Sequence, residues 1–318
     1  MQSKTITKGL PWKQALIAGF VISLVAIMLN LIYINTTAST YNDNTSLLTK
    51  LNVSNKAPAV YGVILHDNNS QTNMILEQGT YHTIICNATV NDTNGYGDIT
   101  TVNATIYKYP EYGPNSSQDN NYKYSNASCR QYATSGVITA YYTCKFNVWY
   151  YAYNGTWRCN VTAIDNSSAT NSSYDDSIID PLFAINLSTT EIDFGELEPG
   201  QSSSDQEVNV TNFGNMNLTI AVKGYGVTEG DGWAMNCTVG NISIGYERYA
   251  LDPGIAWDSM TQLTSSFTNI AGLTVYQRVD DNDNAMINST NSTYWKIKAP
   301  FGTKGQCNGT LVFSAVNQ

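Results

Sequence analysis

Alternation with a period of two constrains this chain more than any other feature. Ile84, Cys86, Ala88 and Val90 share one parity, as do Val102, Ala104 and Ile106. Tyr142, Cys144, Phe146 and Val148 make a third set, and Trp157, Cys159, Val161 and Ala163 a fourth. Successive side chains of a strand point to opposite faces, so such runs describe strands with one face buried, and a helix of period 3.6 cannot use them. Runs of this length separated by Gly, Asn and Asp turns predict an all-β chain of sandwich type.

The pattern resumes downstream. Ile192 and Phe194 open a second set, followed by Val208 and Val210, then Leu218, Ile220 and Val222. Trp295, Ile297 and Ala299, and then Cys307, Gly309, Leu311, Phe313 and Ala315, close it. A first sandwich is expected over 58–176 and a second over 177–318. Residues 227–275 alternate poorly and are expected to carry long loops. Outside the amino-terminal segment no helix is expected.

Asn-x-Ser/Thr triplets obey the same alternation. The chain holds twenty-one of them, all after residue 34, where random order of its Asn, Ser and Thr would give about seven. Each is an acceptor for N-glycan only outside the cytosol. Asn87, Asn103 and Asn160 have the parity opposite to the apolar sets, and Asn209 and Asn217 alternate with Val208, Val210, Leu218 and Ile220. A glycan cannot enter a core, so two independent signals agree on which face points outward. Asn209 and Asn217 are expected on adjacent strands, where their sugars would coat one sheet. Asn35, Asn44, Asn52 and Asn308 are further candidates.

Ala15 to Ile34 is apolar apart from Ser23 and Asn30. Twenty residues at about 1.5 Å each span the hydrocarbon thickness of a bilayer. Lys4, Lys8 and Lys13 precede the segment and no Lys or Arg follows until Lys50. The positive-inside bias then predicts a cytosolic tail at 1–14, an anchor at 15–34, a polar stalk at 35–57 and an extracellular bulk, a single-pass protein of the cell membrane. A cleaved signal peptide ending near Thr36–Thr40, and a leader cut after Lys8-Gly9, are the alternatives.

Six cysteines in such a region should be oxidised. Pairing within modules leaves Cys237–Cys307 for the second, closing a loop that contributes roughly 4 kcal/mol in the chain-entropy model. Three connectivities are open in the first. Core-facing parity favours Cys86–Cys159, which leaves Cys129–Cys144 as a local bridge.

Charge and chemistry bound the function. With 16 Lys and Arg against 25 Asp and Glu, the net charge is −9, which disfavours nucleic acid as a partner. His66 and His82 are the only histidines, and each reads as an ordinary strand or turn residue. No nucleophile elbow, zinc-protease helix or phosphate loop is present, so no catalytic residue is assigned. No cofactor is expected except calcium, for which Asp92, Asn94 and Asp98 offer oxygen atoms at alternating positions around a glycine turn. The run Asp280–Asn284 resembles the start of a calcium loop but has Ala285 where such loops need glycine.

The segments Tyr142–Ala152 and Asn154–Thr162 are similar to an immunoglobulin-like module of archaeal cell-surface glycoproteins. Ile192–Gly200, Val208–Asn215, Met235–Ser243 and Gly305–Phe313 are similar to its companion module. The first half of the second module also resembles, more faintly, fibre-forming surface proteins of the camelysin type. The resemblance implies two immunoglobulin-like sandwiches, a surface location and a structural or adhesive role toward other envelope proteins or surface glycans. The competing expectation is a carbohydrate- or protein-binding receptor module, with outward-parity aromatics such as Tyr141 and Trp149 as a stacking platform.

Overall fold

The computed structural model describes residues 23–24, 46–68, 73–279 and 289–317. The anchor expected at 15–34 lies almost wholly outside them, as do Asn35, Asn44 and the Asp280–Asn284 run. Among the described residues no helix is long and apolar enough to cross a membrane. Residues 46–58 carry no regular structure. Residues 54–318 form one compact unit, whose described residues make β-strands and three single-turn 3₁₀ helices.

The first half holds β1 (Ala59–Asp67), β2 (Asn73–Met74), β3 (Tyr81–Asn91), β4 (Ile99–Lys108), β5 (Lys123–Asn126), β6 (Arg130–Ser135), β7 (Thr139–Trp149), β8 (Gly155–Asp165) and β9 (Thr170–Ile179). One sheet runs β1-β3-β7-β6 and the facing sheet runs β2-β9-β8-β4-β5. The four apolar sets read from the sequence line the space between them: Ile84, Val90, Cys144, Val148, Trp157, Cys159, Val161 and Ala163 are fully buried. Cys86 on β3 is bonded to Cys159 on β8, which staples the two sheets through their centres. Cys144 is register partner to Cys86 and is bonded to Cys129, just before β6. Truncating a buried aromatic such as Trp157 at this crossing would cost about 3–5 kcal/mol.

The second half holds β10 (Ile185–Leu187), β11 (Gln206–Asn212), β12 (Leu218–Tyr225), β13 (Trp233–Val239), β14 (Asn241–Ser243), β15 (Glu247–Ala250), β16 (Thr261–Gln262), β17 (Thr268–Val275), β18 (Thr290–Ile297), β19 (Lys304–Asn308) and β20 (Thr310–Asn317). The β10-β11-β18-β15-β16 sheet packs Val208, Val210, Tyr249 and Trp295 against Leu218, Ile220, Leu273 and Val275 of the β17-β12-β20 sheet. A third sheet, β14-β13-β19, covers a small separate core of Ala234, Ile242 and Ile297. Cys237 and Cys307 are register partners in it and are bonded to each other.

Two expectations need correction. The stretch 227–275 is not mainly loop, since β13 to β17 lie within it. Three of those strands are two to four residues long, too short to display a period of two. Asn209 and Asn217 are not on adjacent strands: β11 belongs to one sheet, and Asn217 leads into β12 of the other. Parity identifies a face but not the sheet to which the face belongs.

The halves meet at a packed joint. Tyr151, after β7, is fully buried, and its carbonyl accepts from Asn121 Nδ2 at 2.8 Å and Gln277 Nε2 at 2.7 Å. Asn121, itself fully buried, also donates to the Arg278 carbonyl at 2.8 Å. The Tyr150 ring lies 5.5 Å from that of Phe213. Gly79 sits at φ 71°, and a Cβ there would come within 2.6 Å of the Phe213 ring, so only glycine fits. The linker is fixed to the second half as well, because Asn215 accepts from the Leu182 N–H at 2.7 Å and donates to the Asp180 carbonyl at 3.1 Å.

Candidate functional site

The acceptor asparagines define the surface. Eighteen fall in the described residues, and every one is exposed or half-buried. Asn52, Asn217 and Asn308 are exposed, and Asn87, Asn103, Asn160 and Asn209 are half-buried on outward strand positions. The fully buried asparagines, Asn121, Asn212 and Asn215, all lie outside acceptor triplets. Those three have structural work: Asn212 Nδ2, for example, bonds the Met216 and Val275 carbonyls. None of the described acceptors is fully buried, although outward amides also hold backbone, as Asn94 does at the Ser54 carbonyl and acceptor Asn126 at the Lys145 carbonyl. The Asn291 amide nitrogen is likewise committed, to the Thr274 carbonyl.

The first half also presents an open sheet edge. β6 ends its sheet, and all six of its residues, Arg130 to Ser135, are exposed. No acceptor lies between Asn126 and Asn154, so β6 and β7 carry none. Tyr132, 55% exposed, pairs with Tyr141 across the hairpin at 6.1 Å between ring centroids. The unpaired N–H and C=O groups of such an edge are able to pair with an added strand.

The expected Tyr141–Trp149 platform does not form. The residues stand eight positions apart on β7, about 26 Å at strand rise. Trp149 is instead half-buried, edge-on to Tyr81 at 5.8 Å and stacked on Tyr151 at 5.9 Å. A different aromatic surface occurs on the outer face of β8 and β9. The Arg158 guanidinium lies 3.7 Å from the Tyr109 ring centroid and 3.8 Å from that of Tyr174, and Asp176 holds it by two bonds of 2.7 and 2.8 Å. Tyr174 is 56% exposed and is register partner to acceptor Asn160. Composition gave no hint of this group, which the β8–β9 register assembles.

The oxygen-ligand candidates are regrouped. Asp92 caps its own turn, accepting the Asn94 N–H on Oδ1 at 2.8 Å. The Asn94 side chain is turned away from the acids, donating to the Ser54 carbonyl and accepting from Lys56 N–H. Its place is taken by Asp165, at the end of β8: one oxygen each from Asp92, Asp98 and Asp165 lie within 4.8 Å of one another. Carboxylates this close repel one another. Asp165 offsets part of this through Asn55, whose amide, together with the Ala169 and Ser167 N–H groups, holds the carboxyl below the usual carboxylate range.

The histidines take local partners. His66 Nδ1 contacts the Asp67 carbonyl and Nε2 contacts the Asn87 amide, while His82 pairs with Glu77 at 3.2 Å. In the second half a cavity of about 1130 Å³ lies beneath residues 187–199, with Glu247 in its lining. Burial pushes the Glu247 carboxyl up to about 8.

No family model matches the chain, and no curated protein matches it. Among solved structures, it is similar to a chain of the chaperone–tip adhesin complex of CFA/I fimbriae, at 10% identity over 80% of this chain and 84% of that one, with TM-score 0.29. A carbohydrate-binding module of the β-sandwich superfamily gives 11% identity over 83% and 99%, with TM-score 0.25. The carboxy-terminal domain of the Streptococcus agalactiae AgI/II polypeptide BspA gives 10% over 81% and 100%, with TM-score 0.21. Likeness at this level adds nothing to the fold already read from the strands themselves.

Proposed function

We propose that the chain is a non-enzymatic cell-surface glycoprotein with a structural or adhesive role: two sandwich modules carried on a stalk from an amino-terminal membrane anchor, of the kind its archaeal resemblance implies. The observation that carries this reading is that every described acceptor asparagine is exposed or half-buried. Three disulfides and the packed joint suit a structural role that bears load. Glycans would shield the broad sheet faces and leave β6 as the place where another envelope protein adds a strand, with Tyr132 and Tyr141 as its aromatic contact.

Protease added to intact cells tests the topology. Loss of the region after residue 35 supports the reading, and protection of that region in sealed cells contradicts it. A second reading, a glycan-binding module, rests on the exposed Tyr174 ring beside Arg158. Binding of a glycan panel that Tyr174→Ala abolishes would favour it.

A further inference from the structure

We propose that Asp92, Asp98 and Asp165 form a calcium site that clamps one end of the first sandwich. The three come from separate segments: the residue after β3, the single turn before β4, and the last residue of β8. β3 belongs to one sheet and β4 and β8 to the other, so an ion among them would tie both sheets together.

Two independent observations point to a cation. Twice the usual calcium–oxygen distance of about 2.4 Å is about 4.8 Å, so one ion reaches any pair of these oxygens. Asp92 is fully buried and its Oδ2 has no hydrogen-bond partner, although a buried carboxylate oxygen needs a donor or a cation. Among the described residues no Lys or Arg pairs with any of the three. The donors are oxygen alone, with no His or Cys, which selects a hard ion. Calcium tolerates irregular shells of six to eight oxygens completed by water, whereas magnesium demands near-ideal octahedral geometry.

The site would also govern how the chain leads into the sandwich. Asn55 Nδ2 donates to Asp165 Oδ2 at 2.8 Å, and Asn94 holds Ser54 and Lys56. Fixing Asp165 and the Asp92 turn therefore fixes residues 54–56. The ion acts as a stiffener of that junction and takes no part in any reaction.

The test uses the purified full chain stripped with EDTA and titrated with CaCl₂ or MgCl₂ by calorimetry, with thermal unfolding in parallel. One calcium per chain is expected, at an affinity near 10⁻⁴ M, roughly that of extracellular modules. At ten times the dissociation constant, the unfolding midpoint should rise by about 3–6 °C. Asp92→Asn keeps the oxygen that accepts from Asn94, and it should weaken calcium binding at least about tenfold by removing a charged ligand. Asp98→Asn, on a half-exposed turn, should do the same and carries the test if the first variant fails to fold. Hydrogen exchange at residues 54–57 should slow on calcium addition and stay unchanged in the variants. No calcium-dependent heat or midpoint shift at about 10 mM overturns the proposal. A wild-type response in both variants overturns it as well, because the ion would then bind elsewhere.

Discussion

Replacing Asn121 with alanine should loosen the joint between the two halves. Asn121 is fully buried and its amide nitrogen donates two bonds of 2.8 Å, to the carbonyls of Tyr151 and Arg278. The Tyr151 carbonyl also accepts from Gln277 Nε2 at 2.7 Å. A net hydrogen bond contributes about 1 ± 0.5 kcal/mol, so losing the two from Asn121 should cost the variant about 1–3 kcal/mol. Asn121→Asp should lose at least as much, because it turns an acceptor and a charge toward two carbonyls. Urea unfolding followed by tryptophan fluorescence and circular dichroism measures the loss. Calorimetry shows whether one transition of the wild type divides into two. An Asn121→Ala protein within about 0.5 kcal/mol of the wild type, with an undivided transition, would refute the reasoning, since surface substitutions cost no more than that.

Glu247 makes the second half pH-sensitive. Its carboxyl titrates near 8 when folded, because burial disfavours the anion, against about 4.3 when unfolded. Between these values the folded chain binds more protons, so stability falls as pH rises from about 4.3 to about 8. Glu247→Gln should therefore unfold like the wild type near the lower value and be more stable, by on the order of a few kcal/mol, above the higher one; a parallel pH profile for both proteins would remove Glu247 as the cause. Non-reducing peptide mapping should recover Cys237 linked to Cys307, and removing this bridge should cost about 2–5 kcal/mol. Alkylation of both thiols in the unreduced native protein would sink the bridge together with the oxidising compartment it implies.

Four strands of the first half were legible, and β3, β7 and β8 show why, each having one dry and one wet face over eight or more residues. The same parity located the core cysteines, since Cys86 and Cys159 both face inward at full burial. Pairing partners were not legible. Asn209 and Asn217 share an outward parity yet occupy different sheets, which only long-range register decides. β14, β15 and β16 are too short to show any period. Asp165 was missed as a partner of Asp92 and Asp98 because β8 brings it from far along the chain. A local signal was present, since Asp165-Asn-Ser ends a strand much as Asp92-Thr-Asn does, each acid accepting the N–H two residues on. The joint was invisible for a related reason: Asn121 and Gln277 look like surface amides until the fold places both on Tyr151.

The central claim is that this surface is built to carry sugar, and glycopeptide mass spectrometry of the protein isolated from its native cells tests it most directly. The account predicts occupancy at exposed and outward acceptors on both halves, among them Asn103, Asn217 and Asn308, with Asn291 bare because its amide is committed to Thr274. Unmodified asparagine at every one of these positions would contradict it, and would leave the excess of triplets as composition alone.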